Sequence, residues 1–440
     1  MSGHVTGISD VVMMAQRYIG CLPEGDGLWL AEQRRKAVDK LFDLGLPNPR
    51  QEAWRYSDVQ RLLDQGFITA DEAEAVDPAL IRGRFLRDPV AARLVFVDGL
   101  FQPDLSDTGL EGVKLGSLRG AMARADKVVL QALGSVSGVG EHGFAALNLA
   151  TMQDGAVLHI AEGVKLDQPI ELLHLSSDAA AGHSLRPRHL IILEAGARAT
   201  LIERYQALEE SSYFTNLVCE VVLREGASLR HERIQQESPQ AYHLSDLHVG
   251  LAADARYHGV SAALGGSWSR TNLHNRFTAA GARCELDGLY LAGETQLVDF
   301  HLDVDHAVPG CESRENFKGL ISGRGKAVFD GRILVREQAQ KSSAHLSNAN
   351  LMLSRQAEID TKPQLEILAD DVQCSHGTTV GQLDPQALFY LRSRGLSEEQ
   401  AKRLLCLGFA QEILDRFESE SLREELSEEI RRRIEYGAAG

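Results

Sequence analysis

Leu190-Ile-Ile-Leu-Glu-Ala-Gly196-Ala-Arg-Ala-Thr-Leu201 and Glu220-Val-Val-Leu-Arg-Glu-Gly226-Ala-Ser-Leu-Arg-His231 repeat one pattern: an apolar run, a glycine turn, then a small residue opening a second alternation. Alternation with period two marks a strand, and glycine marks a corner. The unit recurs at 157–166, 248–259, 276–288, 320–331, 351–362 and 365–377. Its turn positions fall at Gly163, Gly196, Gly226, Asp254, Gly281, Arg324, Gln356 and Asp371, spaced 33, 30, 28, 27, 43, 32 and 15 residues apart. A unit of about thirty residues cannot bury an apolar face alone, but a stack of them makes one continuous core. This predicts a β-solenoid of parallel strands. A β-sandwich shares the short strands and glycine turns but needs many tight hairpins. Asp98-Gly99, Asp154-Gly155, Asp287-Gly288 and Asp330-Gly331 are too few for one.

Outward from this core the texture changes. Residues 1–90 read as a helical domain, with amphipathic stretches at 8–18 and 28–44 and a loop punctuated by Pro47 and Pro49. The β domain runs over 91–383, and a C-terminal helical domain over 384–440. In the last, Asp384-Pro385 is an N-cap with proline at the first helical position, and Gly395 closes that helix. Ser397/Gln400 and Ser421/Glu424 read as capping boxes. Leu404, Leu405, Phe409, Ile413, Leu414 and Phe417 form an apolar stripe, continued by Leu422, Leu426, Ile430 and Ile434. Most of that stripe reads as core and part as a docking face.

The chain has 440 residues, 44% of them hydrophobic, and a formal charge of −16 with pI near 5.4. Acidity without a basic patch speaks against nucleic acid and anionic membrane as partners. No apolar run approaches the roughly 20 residues that span a bilayer, and the N-terminus, with His4 and Asp10, has no signal core. A cytoplasmic location is expected. Cys21, Cys219, Cys284, Cys311, Cys374 and Cys406 are scattered without a Cys-x-x-Cys, so neither a disulfide framework nor a self-contained cluster site is expected. Iron–sulfur ligation within this chain would be incomplete, and a partner would supply the rest.

Cys374 and His376 are the pair singled out for chemistry. Two apart on a strand, they project from one face, so a sulfur and an imidazole nitrogen can reach one iron or sulfur atom. The competing reading is a buried thiol beside a hydrogen-bonded histidine. Asp299, His301, Asp303 and Asp305 also alternate and resemble a hard-metal site, yet a solvated strand face needs the same pattern. Residues 134–143 and Gly325-Lys326-Ala327 match no nucleotide loop, so ATP hydrolysis is not expected, and no Gly-x-Ser-x-Gly elbow is present. Trp54 and Tyr56 read as packing anchors or a recognition surface. A β-helix polysaccharide lyase fits poorly with 6% aromatics and no export signal, and a hexapeptide acyltransferase needs a six-residue repeat that is absent.

Lys362-Pro-Gln-Leu-Glu-Ile367, Ala369-Asp-Asp-Val372, Cys374-Ser-His-Gly377, Phe389-Tyr-Leu-Arg-Ser-Arg-Gly395, residues 348–354, Gly45-Leu-Pro47 and Glu52-Ala-Trp-Arg-Tyr-Ser-Asp58 together resemble the SufD family, subunits of the SUF iron–sulfur cluster assembly scaffold. The resemblance implies a right-handed parallel β-helix flanked by N- and C-terminal helical domains. It also implies a non-enzymatic scaffold that pairs with the related SufB along the β-helix edge. A SufC ATP-binding-cassette subunit would bind the C-terminal helices, for which Phe389, Tyr390, Arg392, Arg394, Leu404, Leu405 and Phe409 are the candidates. A transient cluster shared with SufB would be held from this side by Cys374 and His376. SufB carries a cysteine and a glutamate as its cluster-building residues where this chain has Asn348 and Gly377, which marks the SufD branch. A homodimer of the isolated chain and flavin association belong to the family picture, and no motif here bears on a flavin.

Overall fold

The computed structural model describes residues 28–57, 59–69, 76–140 and 142–437. The stretch 8–18, His4, Asp10, Cys21 and Asp58 lie outside them. The fold is a parallel β-solenoid of about eight turns flanked by helices, as the repeat predicts. Its strands in chain order are β1 (Ala92–Val97), β2 (Ala156–Ile160), β3 (Ile170–Ser176), β4 (Arg188–Leu193), β5 (Arg198–Ala207), β6 (Phe214–Leu223), β7 (Ser228–Gln236), β8 (Tyr242–Leu251) and β9 (Arg256–Ala263). They continue as β10 (Trp268–Phe277), β11 (Arg283–Ala292), β12 (Leu297–His306), β13 (Glu312–Ile321), β14 (Lys326–Val335), β15 (Ser343–Met352), β16 (Glu358–Ile367) and β17 (Gln373–Gly381). Even-numbered strands form one sheet and odd-numbered strands the other, each strand hydrogen-bonded in parallel to the strand two ahead.

One corner column fixes this register. Gly163, Gly196, Gly226, Asp254, Gly281, Gly310 and Lys341 all have positive φ, between 55° and 79°, and the column ends at Asp371. Amides link successive corners: Gly196 N–H donates to Glu225 O, Gly226 N–H to Ala253 O, Gly310 N–H to Gln340 O and Lys341 N–H to Asp371 O. Arg324 and Gln356 belong to the other corner of the coil, and this explains the uneven spacing in the sequence. With Gly310 and Lys341 in their place the steps from 281 to 310 to 341 to 371 are 29, 31 and 30 residues. Lys341 escapes sequence reading because a lysine rarely adopts the left-handed region.

Alternate residues of every strand fill the lumen. Leu201, Leu229, Tyr257, Leu286, Phe300, Phe317 and Phe329 share one core. Gly288 is required there, since a Cβ would come within 2.2 Å of the Phe317 ring. The helix α1 (Leu28–Leu44), Trp54, the short helices Leu118–Ala123 and Lys127–Ala132, and α2 (Gly143–Thr151) cover the outer face of the even sheet. The sequence reading assigns the last three to the β domain. The caps that start them are Ser117, Asp126 and His142, whose side chains accept first-turn amides. Trp54 is a buried anchor, while Tyr56 is partly exposed.

α3 (Pro385–Ser393) packs on α4 (Glu398–Leu414), which with α5 (Glu420–Gly437) covers the odd sheet. The Ser397/Gln400 capping box is present. At α5 the hydroxyl accepting a first-turn amide is that of Ser419, from Leu422, and not that of Ser421. Ile413, Leu414, Phe417, Leu422, Leu426 and Ile430 are buried against Ile202, Ile234, Val260, Leu289 and Leu320. Among the described residues no helix is long and apolar enough to cross a membrane.

The early lumen also holds charge. Glu203 accepts from Tyr205 Oη at 2.5 Å and pairs with His231 Nε2 at 2.7 Å and with Arg233 at 3.5 Å. Although burial opposes ionisation, these partners hold its carboxyl well below the usual range. Burial pushes the nearby imidazoles the other way, His189 to about 4, and likewise His306 further along the lumen to about 4. Each is neutral in the folded chain and ordinary, near 6.5, when unfolded. Above pH 6.5 they cost nothing. Below it the unfolded chain takes protons that the fold refuses until about pH 4, so stability falls as pH drops. We expect the melting temperature to decline from pH 6.5 downward and His306→Gln to soften that decline; a flat profile between pH 7 and 5 would contradict this.

Candidate functional site

The two ends of the solenoid differ. At the first, β1 and β2 are closed by the antiparallel strands Leu100–Phe101 and Val113–Ser117. At the other, β16 and β17 are the last strands of their sheets, and among the described residues nothing pairs with their outer edges. An unpaired edge is a template for another chain. Exposed Ile367, Leu368 and Val380 lie along this one.

Cys374 and His376 sit on β17 in this terminal coil. Register decides their direction: Cys374 lies over Ala344 and His376 over Leu346, both buried and lumen-facing. Thr378 and Val380 continue the row over Asn348 and Asn350. Across the lumen, Ile359, Thr361, Pro363 and Leu365 of β16 continue the lumen-facing row of β14. Together they make a shallow bowl, with Cys374 half-buried and His376 exposed. Sulfur and imidazole thus share one face and open to the outside.

The floor of the bowl is built from amides. Asn348 Nδ2 donates to Tyr290 Oη at 2.9 Å, Tyr290 Oη donates to Asn350 Oδ1 at 2.6 Å, and Thr361 Oγ1 donates to Asn348 Oδ1 at 3.1 Å. Below them the rings of Phe329, Phe317 and Phe300 pack with centroids 5.2 and 5.3 Å apart. Asn348 is therefore structural. Gly377 is on the opposite side of the strand from His376, with nothing within 4 Å of a Cβ added there.

Burial raises the Cys374 thiol, the Ala344 amide partly offsets this, and the carboxyl of Glu315 adds to the rise. Glu315 is the residue that sequence reading missed. It faces the lumen two strands beneath His376, in the row Glu315, Leu346, His376. Burial drives its pKa up to about 8, and the Ser313 hydroxyl and its own backbone amide offset only part of that rise. Its alternation with Ser313, Phe317 and Gly319 was the available signal.

The other candidates disperse. Asp299 pairs with Arg270 at 2.8 Å and with His301 at 3.0 Å, Asp303 with Arg332 at 3.1 Å, and Asp305 with Arg336 at 2.8 Å. The four form an ion-pair ladder on the outer face and converge on no common point. Among the helix residues, Phe389, Tyr390 and Leu404 are exposed large hydrophobics, with Arg394 over the Tyr390 ring and Arg392 exposed beside them. Leu405 is half-buried. Phe409 faces the solenoid, its ring under Lys318 Nζ at 4.7 Å and its carbonyl accepting from the same amine.

Comparison with known proteins agrees with this architecture. Residues 175–409 match the family model for the SufBD core domain of SUF system FeS cluster assembly, and residues 19–172 match the SufBD N-terminal region. The chain is 30% identical to the iron–sulfur cluster assembly protein SufD of Escherichia coli, covering 94% of this chain and 96% of that one. It is 34% identical to an iron–sulfur cluster assembly SufBD family protein of Synechocystis, over 89% and 88% of the two chains. With SufD of Bacillus subtilis the identity is 26%, over 92% and 94%.

Cys219, Cys284, Cys311 and Cys406 are buried. In a Cys21→Ser chain, native alkylation should therefore label Cys374 first, at a rate still climbing above pH 9 because its thiol titrates late. Mass spectrometry finding another cysteine modified ahead of Cys374 would contradict the geometry.

Proposed function

The chain belongs to the SufBD family of iron–sulfur cluster assembly proteins, and from that premise we propose that it is a non-ATPase scaffold subunit contributing Cys374 and His376 to a transient cluster. The observation carrying this reading is that thiol and imidazole share the lumen-facing row of the terminal coil, whose outer edges are unpaired among the described residues. One thiolate and one imidazole fill two positions of a tetrahedral iron. The rest comes from a second chain joined along β16 and β17, for which the related SufB is the family's candidate. Cluster iron and sulfide are cargo here. Ligation displaces the proton that burial keeps on Cys374, so loading strengthens as pH rises.

The ATPase partner, SufC in this family, is assigned to α3 and the start of α4. Phe389, Tyr390 and Leu404, flanked by Arg392 and Arg394, make an apolar patch with a cationic rim, the anatomy of a docking surface. The helices themselves are pinned. Lys318 meets Glu412 at 2.6 Å, Arg204 meets Glu425 at 3.0 Å, and the Glu418 amide donates to Glu232 at 2.8 Å. A pull on α3 and α4 therefore carries the solenoid with it as a lever and moves the terminal coil. No ATP site is assigned to this chain, its partners include no nucleic acid or membrane, and the assigned location is cytoplasmic.

Two tests follow. Cys374→Ala and His376→Ala should leave the assembled complex intact and lower cluster yield in anaerobic reconstitution at least several-fold; undiminished yield from both variants would remove their role. Phe389→Ala/Tyr390→Ala should reduce co-purification of the ATPase by about tenfold or more, as for loss of interface anchors, while melting stays within a few degrees. Deleting the helices is a poorer test, since it would bare the apolar face of the odd sheet.

A further inference from the structure

Where the turn between α4 and α5 crosses the odd sheet, the outer face of that sheet carries a compact set of donors. His258 on β9 and Glu285 on β11 are register partners, and Asp287 stands two residues beyond Glu285 on the same face. Paired strands lie about 4.8 Å apart, so the three side chains leave neighbouring points of the sheet and can meet above it. They do. His258 Nε2 and Asp287 Oδ2 are 2.9 Å apart, and one ligand atom from each of the three residues lies within 4.8 Å of the other two. Among the described residues no other group of His, Cys, Asp and Glu side chains converges so closely.

A second observation points to a cation. The Asp287 side chain is 1% exposed, and its Oδ1, which faces Arg416 Nε at 3.9 Å, has no hydrogen-bond partner among the described residues. Across Val260 from it, the sealed Glu232 likewise has an idle oxygen, Oε2. Buried polar atoms are nearly always hydrogen-bonded, so two idle carboxylate oxygens under one turn mark a local shortage of positive charge. The guanidiniums here, Arg230, Arg314 and Arg416, are outnumbered by the carboxylates of Glu232, Glu285, Asp287 and Glu418. We propose that His258, Glu285 and Asp287 form a binding site for one divalent transition-metal ion of the Mn²⁺, Fe²⁺ and Co²⁺ class, on the flank of the solenoid and separate from the terminal bowl. One imidazole with two carboxylates is a donor set that suits such ions.

Donors about 2.1 Å from an ion stand about 3.0 Å apart when octahedral neighbours and about 3.4 Å apart in a tetrahedron. His258 and Asp287 already hold that separation. Glu285 is the donor that must travel, by less than about 2 Å on the same geometry. Its side chain is 49% exposed and its contact with Arg314 is 3.8 Å long, so little restrains it, and the same open side admits the ion and its remaining water ligands. The imidazole proton has a defined place as well. Arg230 Nη1 faces His258 Nδ1 at 2.9 Å, and a guanidinium only donates, so Nδ1 accepts and Nε2 donates its proton to Asp287. An ion entering between Nε2 and Oδ2 sends that proton to Nδ1, and Arg230 turns aside onto Glu418, which its Nε already meets at 3.5 Å. The imidazole stays neutral throughout.

The test uses the full chain carrying Cys374→Ala and His376→Ala, so that the bowl is silent and the outcome is independent of the cluster reading. Anaerobic titration with Co²⁺ should give one ion per chain with visible d–d absorption. Adding Glu285→Gln, at a half-exposed position, should weaken that binding at least tenfold while circular dichroism and melting stay unchanged, and adding His258→Gln should weaken it as much or more. Absence of stoichiometric Co²⁺ binding in the background chain, or affinity unmoved by either substitution in a folded chain, would overturn the site.

Discussion

In-register parallel pairing governs this molecule. Because each strand bonds to the strand two ahead without offset over nearly its whole length, a residue's direction and neighbours follow from its column. The columns are cumulative. A lumen position in one coil is a lumen position in all, so Cys374 faces inward because Ala344 and Ser313 do. The corner column enforces this, since the left-handed turns at Gly163, Gly196, Gly226, Asp254, Gly310 and Lys341 donate their amides to the next coil. A solenoid built this way has two ends and must treat each. The first end is closed by antiparallel strands from its own chain, and the second is left as backbone hydrogen-bonding capacity beside a thiol and an imidazole.

Much of this was legible in the sequence, for identifiable reasons. The apolar alternation and the corner glycines at 163, 196, 226 and 281 report backbone requirements that few other residues meet. Where the requirement is met by other means, legibility fails. Lys341 holds a left-handed turn without being glycine, and Gly310 sits in a longer bend, so the period seemed to drift. The helices between 118 and 151 lie in a glycine-rich stretch whose caps are single side chains. Their apolar character comes from burial on nearly every side, and α2 is buried throughout, so no amphipathic stripe announces it.

The site divides the same way. That Cys374 and His376 share a face follows from strand period alone. Which face it is, and that the face opens to the outside, depends on β17 being the last strand, and local sequence cannot say that. Glu315 illustrates the complement: its alternation was visible, but its meaning was not. A carboxyl buried among apolar neighbours is recognised only when Leu286 below and Leu346 above are known to be its column neighbours.

The aromatic and amide floor bears on what the bowl can do by itself. Asn348 spends both amide protons on Tyr290 Oη and Phe317 O and accepts at Oδ1 from Asn350 and Thr361, and Phe317 and Phe329 close the lumen beneath. Asn348 is therefore committed to holding the last coils in shape and leaves no donor pointing at the mouth. With Glu315 held towards its neutral form by burial and covered by Leu346, the soft and borderline donors facing out reduce to one sulfur and one imidazole. Two donors cannot complete four-coordinate iron. Under the proposed function the chemistry of the bowl is tied to its edges: a chain pairing with β16 and β17 would bring its own side chains over the same opening, making coordination and assembly one event.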